Sequence, residues 1–154
     1  MHPGMDRHEL LGTFYLLRGA APEDLAAVDA LVDRRRYAAQ EFVFSEDDKP
    51  EAMYLLERGT IEILKARDET AIATIGPGDA FGELAFFDEA KRSASARARE
   101  ASEVARLPYV GLRDLLVERP ALALVFYRNA CAVMAMRLRQ TSSDLSWLNA
   151  YVRG

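Results

Sequence analysis

Apolar residues recur along this chain with two different periods, and the change of period divides it. Leu10, Leu11, Phe14 and Leu17 have helical spacing across residues 8–18. Pro22-Glu23-Asp24 then opens a second helical pattern through Leu25, Val28, Leu31 and Val32, with proline and acids in the favoured first turn. The spacing predicts N-terminal helices within 8–35. From Arg36 to Leu107 the rhythm shortens to strand-like runs: 42–44, 53–56, 61–64, 71–75 and 104–107. Gly59, Gly76-Pro77-Gly78-Asp79 and the acidic stretch 46–51 punctuate them. Many short strands at regular spacing argue for a small barrel or β-roll over 36–107.

After Pro108 the pattern is helical again, over 109–153. Leu112, Leu115 and Leu116 fit a short helix ending near Arg119, and Pro120 suits the first turn of a long one reaching about Val152. At 1.5 Å per residue that helix is about 50 Å long, longer than a domain of this size can cover. Leu124, Cys131, Leu138, Leu145 and Val152 fall seven apart, with Tyr127, Met134, Thr141 and Leu148 on the alternate seam. The stripe ends in Trp147, Leu148 and Tyr151. It predicts a homodimer seam along 120–152.

A length of 154 residues supports one domain, taken as 1–154, and 50% hydrophobic with 29% charged residues allows a packed core. Twenty basic against 24 acidic residues give a net charge of -4, so no global basic field exists for nucleic acid or an anionic membrane. The one cysteine, Cys131, excludes an internal disulfide and a cysteine-cluster metal site, and its apolar helical setting predicts a buried thiol. Both histidines, His2 and His8, lie in the first ten residues, which removes histidine-based triads and metal cages from the body of the chain. The N-terminus lacks a signal-peptide profile, and no uninterrupted apolar run approaches about 18 residues. These features predict a cytoplasmic protein that is not an enzyme, has neither metal nor cofactor, and contacts neither membrane nor nucleic acid.

The informative chemistry lies in residues 81–98. Gly82 lets a ligand approach the backbone, and residues 83–87 can form one helical turn whose free N–H groups suit an anion. Arg92 supplies a planar fork for two phosphate oxygens, with the Ser93 hydroxyl beside it. Glu83, an acceptor-only carboxylate, suits a ribose hydroxyl. Together they describe a pocket for a small nucleotide monophosphate. Arg97, Arg99 and Arg106 are assigned to the outward face of strands.

Phe81-Gly82-Glu83-Leu84-Ala85 through Arg92-Ser93-Ala94, with 53–63 and Ile75-Gly76-Pro77-Gly78-Asp79 upstream, resembles the cyclic nucleotide-binding domain. That domain is shared by catabolite activator proteins, regulatory subunits of cyclic-nucleotide-dependent kinases and cyclic-nucleotide-gated channels. The resemblance runs from about Leu16 to Ala150 and makes 81–98 the phosphate-binding cassette. It implies an α+β, mainly β fold: an eight-stranded jelly-roll flanked by N-terminal helices and a long C-terminal helix. It also implies that Arg92, Ser93 and Leu84 hold the cyclic phosphate, and that Gly82 and Glu83 hold the ribose.

Met134 to Ser142 resembles the activator's helix, in which a Thr-Ser pair reaches the base from both subunits. Counted from Pro120, the family's register is about one turn shorter, so the resemblance places either Thr141 with Ser142, or Arg137 or Leu138, over the base. The family has glycine where this chain has Gln40 and Asp47, so those two turns are expected to differ in shape, Gln40 above all. The implied function is a regulatory module that binds cyclic AMP and acts through its C-terminal helices on a dimer or an unidentified partner. The alternatives are a binder of cyclic GMP or a cyclic dinucleotide, the sensor half of a transcription regulator of the activator type, and a protein-interaction dimer that binds no nucleotide. No helix-turn-helix follows before Gly154, so the expectation is a freestanding sensor or an excised one.

Overall fold

The computed structural model describes residues 10–65 and 70–153, with side chains as far as Ser142. A 3-10 turn at Tyr15–Leu17 and helix α1 (Pro22–Asp29) precede eight strands among the described residues. These are β1 (Asp33–Tyr37), β2 (Phe42–Phe44), β3 (Ala52–Arg58), β4 (Ile61–Leu64), β5 (Ala71–Ile75), β6 (Ala80–Phe81), β7 (Ser95–Ala98) and β8 (Ser102–Pro108). Helix α2 (Leu84–Asp88) interrupts them between β6 and β7; α3 (Tyr109–Glu118) and α4 (Pro120–Arg153) follow. The strands form two antiparallel four-stranded sheets, ordered β1-β8-β3-β6 and β2-β7-β4-β5. This is the α+β, mainly β roll expected from the sequence.

β3, an inner strand of the first sheet, is buried on both faces from Ala52 to Leu56, which is why it reads as a continuous apolar run rather than an alternating one. Its residues still alternate in destination. Ala52, Tyr54 and Leu56 join Ile61, Phe81, Ala96, Ala98 and Val104 between the sheets. Met53 and Leu55 join Leu107 and Ala105 against the helices, where Phe14, Leu112, Leu122 and Phe126 complete a second core.

Several expectations from the sequence need correction. The 8–18 segment buries Leu11, Phe14 and Leu17, but of its described part only Leu10 and Leu11 are α-helical; from Gly12 the chain runs through turns and one short 3-10 element. Three- and four-residue spacing serves a 3-10 turn equally well. The second helix stops at Asp29, and residues 33–37 form β1 instead of ending the helical region. Its run Asp-Arg-Arg-Arg-Tyr has no apolar rhythm; Arg34 is instead fixed by Asp29 at 3.0 Å and Glu57 at 3.1 Å.

Cys131 is exposed: Leu122, Phe126 and Ala130 of α4 are buried in the core, with Ala123 and Met134 packed against it, and Cys131 lies off that face. The 23-residue stretch Pro120–Ser142 is long and apolar enough, by length and composition, to cross a membrane. An uninterrupted-run criterion passes over it because Arg128, Arg137 and Arg139 punctuate it. The seam positions Leu145, Trp147, Leu148, Tyr151 and Val152 lie outside the described side chains.

Candidate functional site

The short β6 pairs with β3 only at Tyr54–Phe81 and Leu55–Ala80, and where that ladder ends the chain turns through Gly82 into α2. Gly82 has φ +72°, and a Cβ there would lie 2.8 Å from Arg92 Nη1 and 3.2 Å from the Phe44 ring. Both the backbone angle and the space therefore demand glycine. Beside this turn lies a cavity of about 360 Å³. Gly82, Glu83, Leu84, Arg92 and Ser93 line it together, with Phe44, Ile63 and Ile75 as its apolar wall and Arg137 entering from α4. Volume and lining fall in the range of small-ligand sites.

Arg92 is buried. Its Nη1 donates to the Gly82 carbonyl at 2.8 Å, its Nη2 donates to the Ala52 carbonyl, and its guanidinium lies 4.0 Å from the Phe44 ring centroid. The Tyr109 hydroxyl also donates to the Gly82 carbonyl. The backbone of Arg92 is fixed by the 47–48 turn: Asp47 N–H donates to the Arg92 carbonyl at 2.9 Å, and Arg92 N–H to Asp48 at 3.0 Å. Ser93 is exposed on the cavity rim, where Lys65 from the end of β4 donates to its carbonyl.

Glu83 is only 5% exposed. Burial, the largest influence, holds its carboxyl above the usual carboxylate range, against the opposing pull of nearby hydrogen bonds and of Arg137 and Arg92. The Tyr15 hydroxyl donates to Glu83 Oε1 at 3.4 Å, and Arg137 Nη1 stands 3.8 Å from the same oxygen. Burial and the adjacent carboxylate push the Tyr15 hydroxyl up, so it remains a donor. Sequence reasoning missed Tyr15, whose only local signal is an aromatic beside a helical-looking stripe. It missed Phe44 too, which there reads as one more apolar strand residue.

Of the residues expected over a base, Arg137 reaches the cavity, whereas Thr141 and Ser142 do not line it. Both are exposed, and Thr141 Oγ1 donates back to the Arg137 carbonyl at 3.0 Å. Gln40 and Asp47 both adopt the left-handed conformation that glycine enters freely, with φ 73° and 71°. Arg97 and Arg106 are not plain outward charges either. Arg97 pairs with Glu62 at 3.1 Å, and each has an Nε shut off from solvent without a hydrogen-bond partner. Among the described residues no group of three His, Cys, Asp or Glu could hold a metal ion.

The site therefore places a buried carboxylate, a guanidinium and a hydroxyl on one small cavity beside a glycine turn. Residues 34–119 match the family described as the cyclic nucleotide-binding domain. The cyclic AMP receptor protein of Thermus thermophilus is 32% identical over 137 residues, which is 87% of this chain and 62% of that protein. Glutaminase 2 of Bradyrhizobium diazoefficiens is 30% identical over 92% of this chain but only 22% of its own length. The crystal structure of Thermus thermophilus catabolite activator protein aligns with a TM-score of 0.74 at 31% identity, covering 88% of this chain and 63% of that one. The chain thus spans under two thirds of each of these relatives. By its matched residues, its two-sheet roll and its glycine-turn cavity, the chain belongs to the cyclic nucleotide-binding domain family.

Proposed function

We propose that the chain is a regulatory receptor module whose ligand is cyclic AMP, held in the cavity beside α2. The observation that carries this reading is the convergence of Gly82, Glu83, Arg92, Ser93 and Arg137 on one cavity from three separate segments. The name of the Thermus receptor supports the choice of nucleotide. In this reading the cyclic phosphate takes over the Arg92 guanidinium, with Ser93 and the Leu84 backbone beside it. The Gly82 carbonyl then keeps the Tyr109 hydroxyl as its donor, so it is not orphaned when Arg92 turns.

The ribose lies against Gly82, with a hydroxyl donating to Glu83. Arg137, already aimed at that carboxylate, covers the base, and Thr141 and Ser142 serve it only from a second copy. Because Arg137 belongs to α4, nucleotide in the cavity acts on that helix directly. It shifts the helix only by its difference in affinity for the two arrangements. Glu83 is engaged by Tyr15 and Arg137, a placement that suits holding a hydroxyl rather than activating a water.

Titration calorimetry of nucleotide-stripped protein with cyclic AMP, cyclic GMP and cyclic di-GMP tests this directly. Saturable heat with cyclic AMP is expected. Arg92→Ala removes a charge-assisted bidentate pair at roughly 1.5–3 kcal/mol per bond, so affinity should fall about a hundredfold or more. An Arg92→Ala protein that binds as tightly as the wild type overturns the phosphate assignment.

A further inference from the structure

A second cavity, of about 570 Å³, lies between the 49–51 loop, α2 and the junction of β8 with α3. Lys49, Arg106 and Arg113 bring three cations to it from three elements, and Glu51 and Glu89 share its lining. The charges are not equally engaged. Arg113 is paired with Glu89 at 3.6 Å and lies over the Phe86 ring at 5.3 Å. Arg106 has no ion pair or hydrogen bond among the described residues, and its Nε is closed off from solvent.

The strand register explains how Arg106 comes to be there. It stands opposite Tyr54 on β3, on the same side of β8 as Val104, which packs between the sheets. It therefore sits at the mouth of the roll, not on its outer surface. The Nε is as far out of a ligand's reach as out of water's, so it is the two terminal nitrogens of Arg106 that present a fork for a carboxylate or phosphate. With Arg113 engaged by Glu89, Arg106 and Lys49 face one carboxylate, Glu51, which leaves room for a single anionic group.

We infer that this cavity is a second ligand site, which takes a small organic anion carrying one carboxylate or one phosphate group, with Arg106 as its fork and Lys49 beside it. Pro50, Pro108 and Val110 provide an apolar rim for the remainder of such a ligand. The site stands apart from the nucleotide cavity, with Ala85 of α2 on the wall of both.

Calorimetry with butyrate and with methyl phosphate as probes tests the inference. Saturable binding of at least one probe is expected, weakened at least tenfold in Arg106→Gln and several-fold in Lys49→Ala. Lys49 is exposed, so the second variant keeps a fold test separate from a binding test. Arg92→Ala should leave the butyrate heat unchanged. No heat with either probe overturns the inference, and so does heat lost in Arg92→Ala but kept in Arg106→Gln, which would place the anion in the first cavity. Cyclic AMP added to the same samples separates the two proposals. A chain that binds butyrate but no cyclic nucleotide keeps this site and loses the function proposed above.

Discussion

At the scale of single residues, the carboxyl of Glu83 carries the clearest electrostatic signature in the cavity. Burial holds it above the usual carboxylate range. As pH rises, the unfolded chain therefore releases this proton first, and the folded state loses stability between the ordinary value and the raised one. Below that window the proton is bound in both states and no penalty exists; above it the penalty is complete. Glu83→Gln keeps the shape and stays neutral throughout. Urea unfolding from pH 4 to pH 7 should show the Gln variant gaining on the wild type across the window and then running parallel to it. Curves that are parallel throughout would show that Glu83 titrates alike folded and unfolded. The same residue was legible in the sequence as an acceptor beside a glycine, because its neighbours in the chain are its neighbours in the site. Tyr15 was not legible, since it reaches Glu83 across 68 positions that no local pattern records.

At the scale of elements, the turn from β1 to β2 holds Gln40 at φ 73° while its N–H donates to the Ala98 carbonyl at 2.7 Å. A left-handed conformation costs a residue with a Cβ roughly 1–2 kcal/mol, and glycine returns part of that through the unfolded chain's entropy. Gln40→Gly should therefore raise stability by about 0.5–1 kcal/mol, seen as a higher urea midpoint at unchanged slope. A lower midpoint would mean that the glutamine side chain stabilises the turn more than its backbone strains it.

The same contrast explains which strands could be read. The runs at 42–44, 53–56, 61–64, 71–75 and 104–107 carry their own apolar signal, and each falls within or on a strand. β1 is held by ion pairs of Arg34 and Arg36 and by pairing with β8, and β6 has two residues. β7 fills the core with Ala96 and Ala98, which have little hydrophobic weight. Such strands exist because of their partners, so a linear pattern misses them.

At the scale of the whole molecule, α4 extends past the core that its first turns cover. Leu124 and Leu138 are each 67% exposed, and Tyr127 and Met136 are also exposed. Leu124, Cys131 and Leu138 repeat at seven residues along this face, the spacing of a helix that meets a second helix. We propose that this second helix belongs to another copy of the chain. The exposed Thr141 and Ser142 lie one turn beyond Arg137, so only a neighbouring helix could bring such hydroxyls to a cavity that their own chain does not let them reach. Burying a leucine contributes roughly 1.5–3 kcal/mol, and a two-fold seam counts it twice. Leu138→Asp should then weaken self-association by more than about a hundredfold. Sedimentation equilibrium should give twice the 17.2 kDa chain mass for the wild type and the single-chain mass for the variant. Calorimetry on that monomeric variant should still register cyclic AMP, since Glu83, Arg92 and Arg137 all belong to one chain, but with lower affinity because the second copy's hydroxyls are gone. A wild-type protein that sediments at the single-chain mass with and without cyclic AMP would remove the seam, and with it the role given to Thr141 and Ser142.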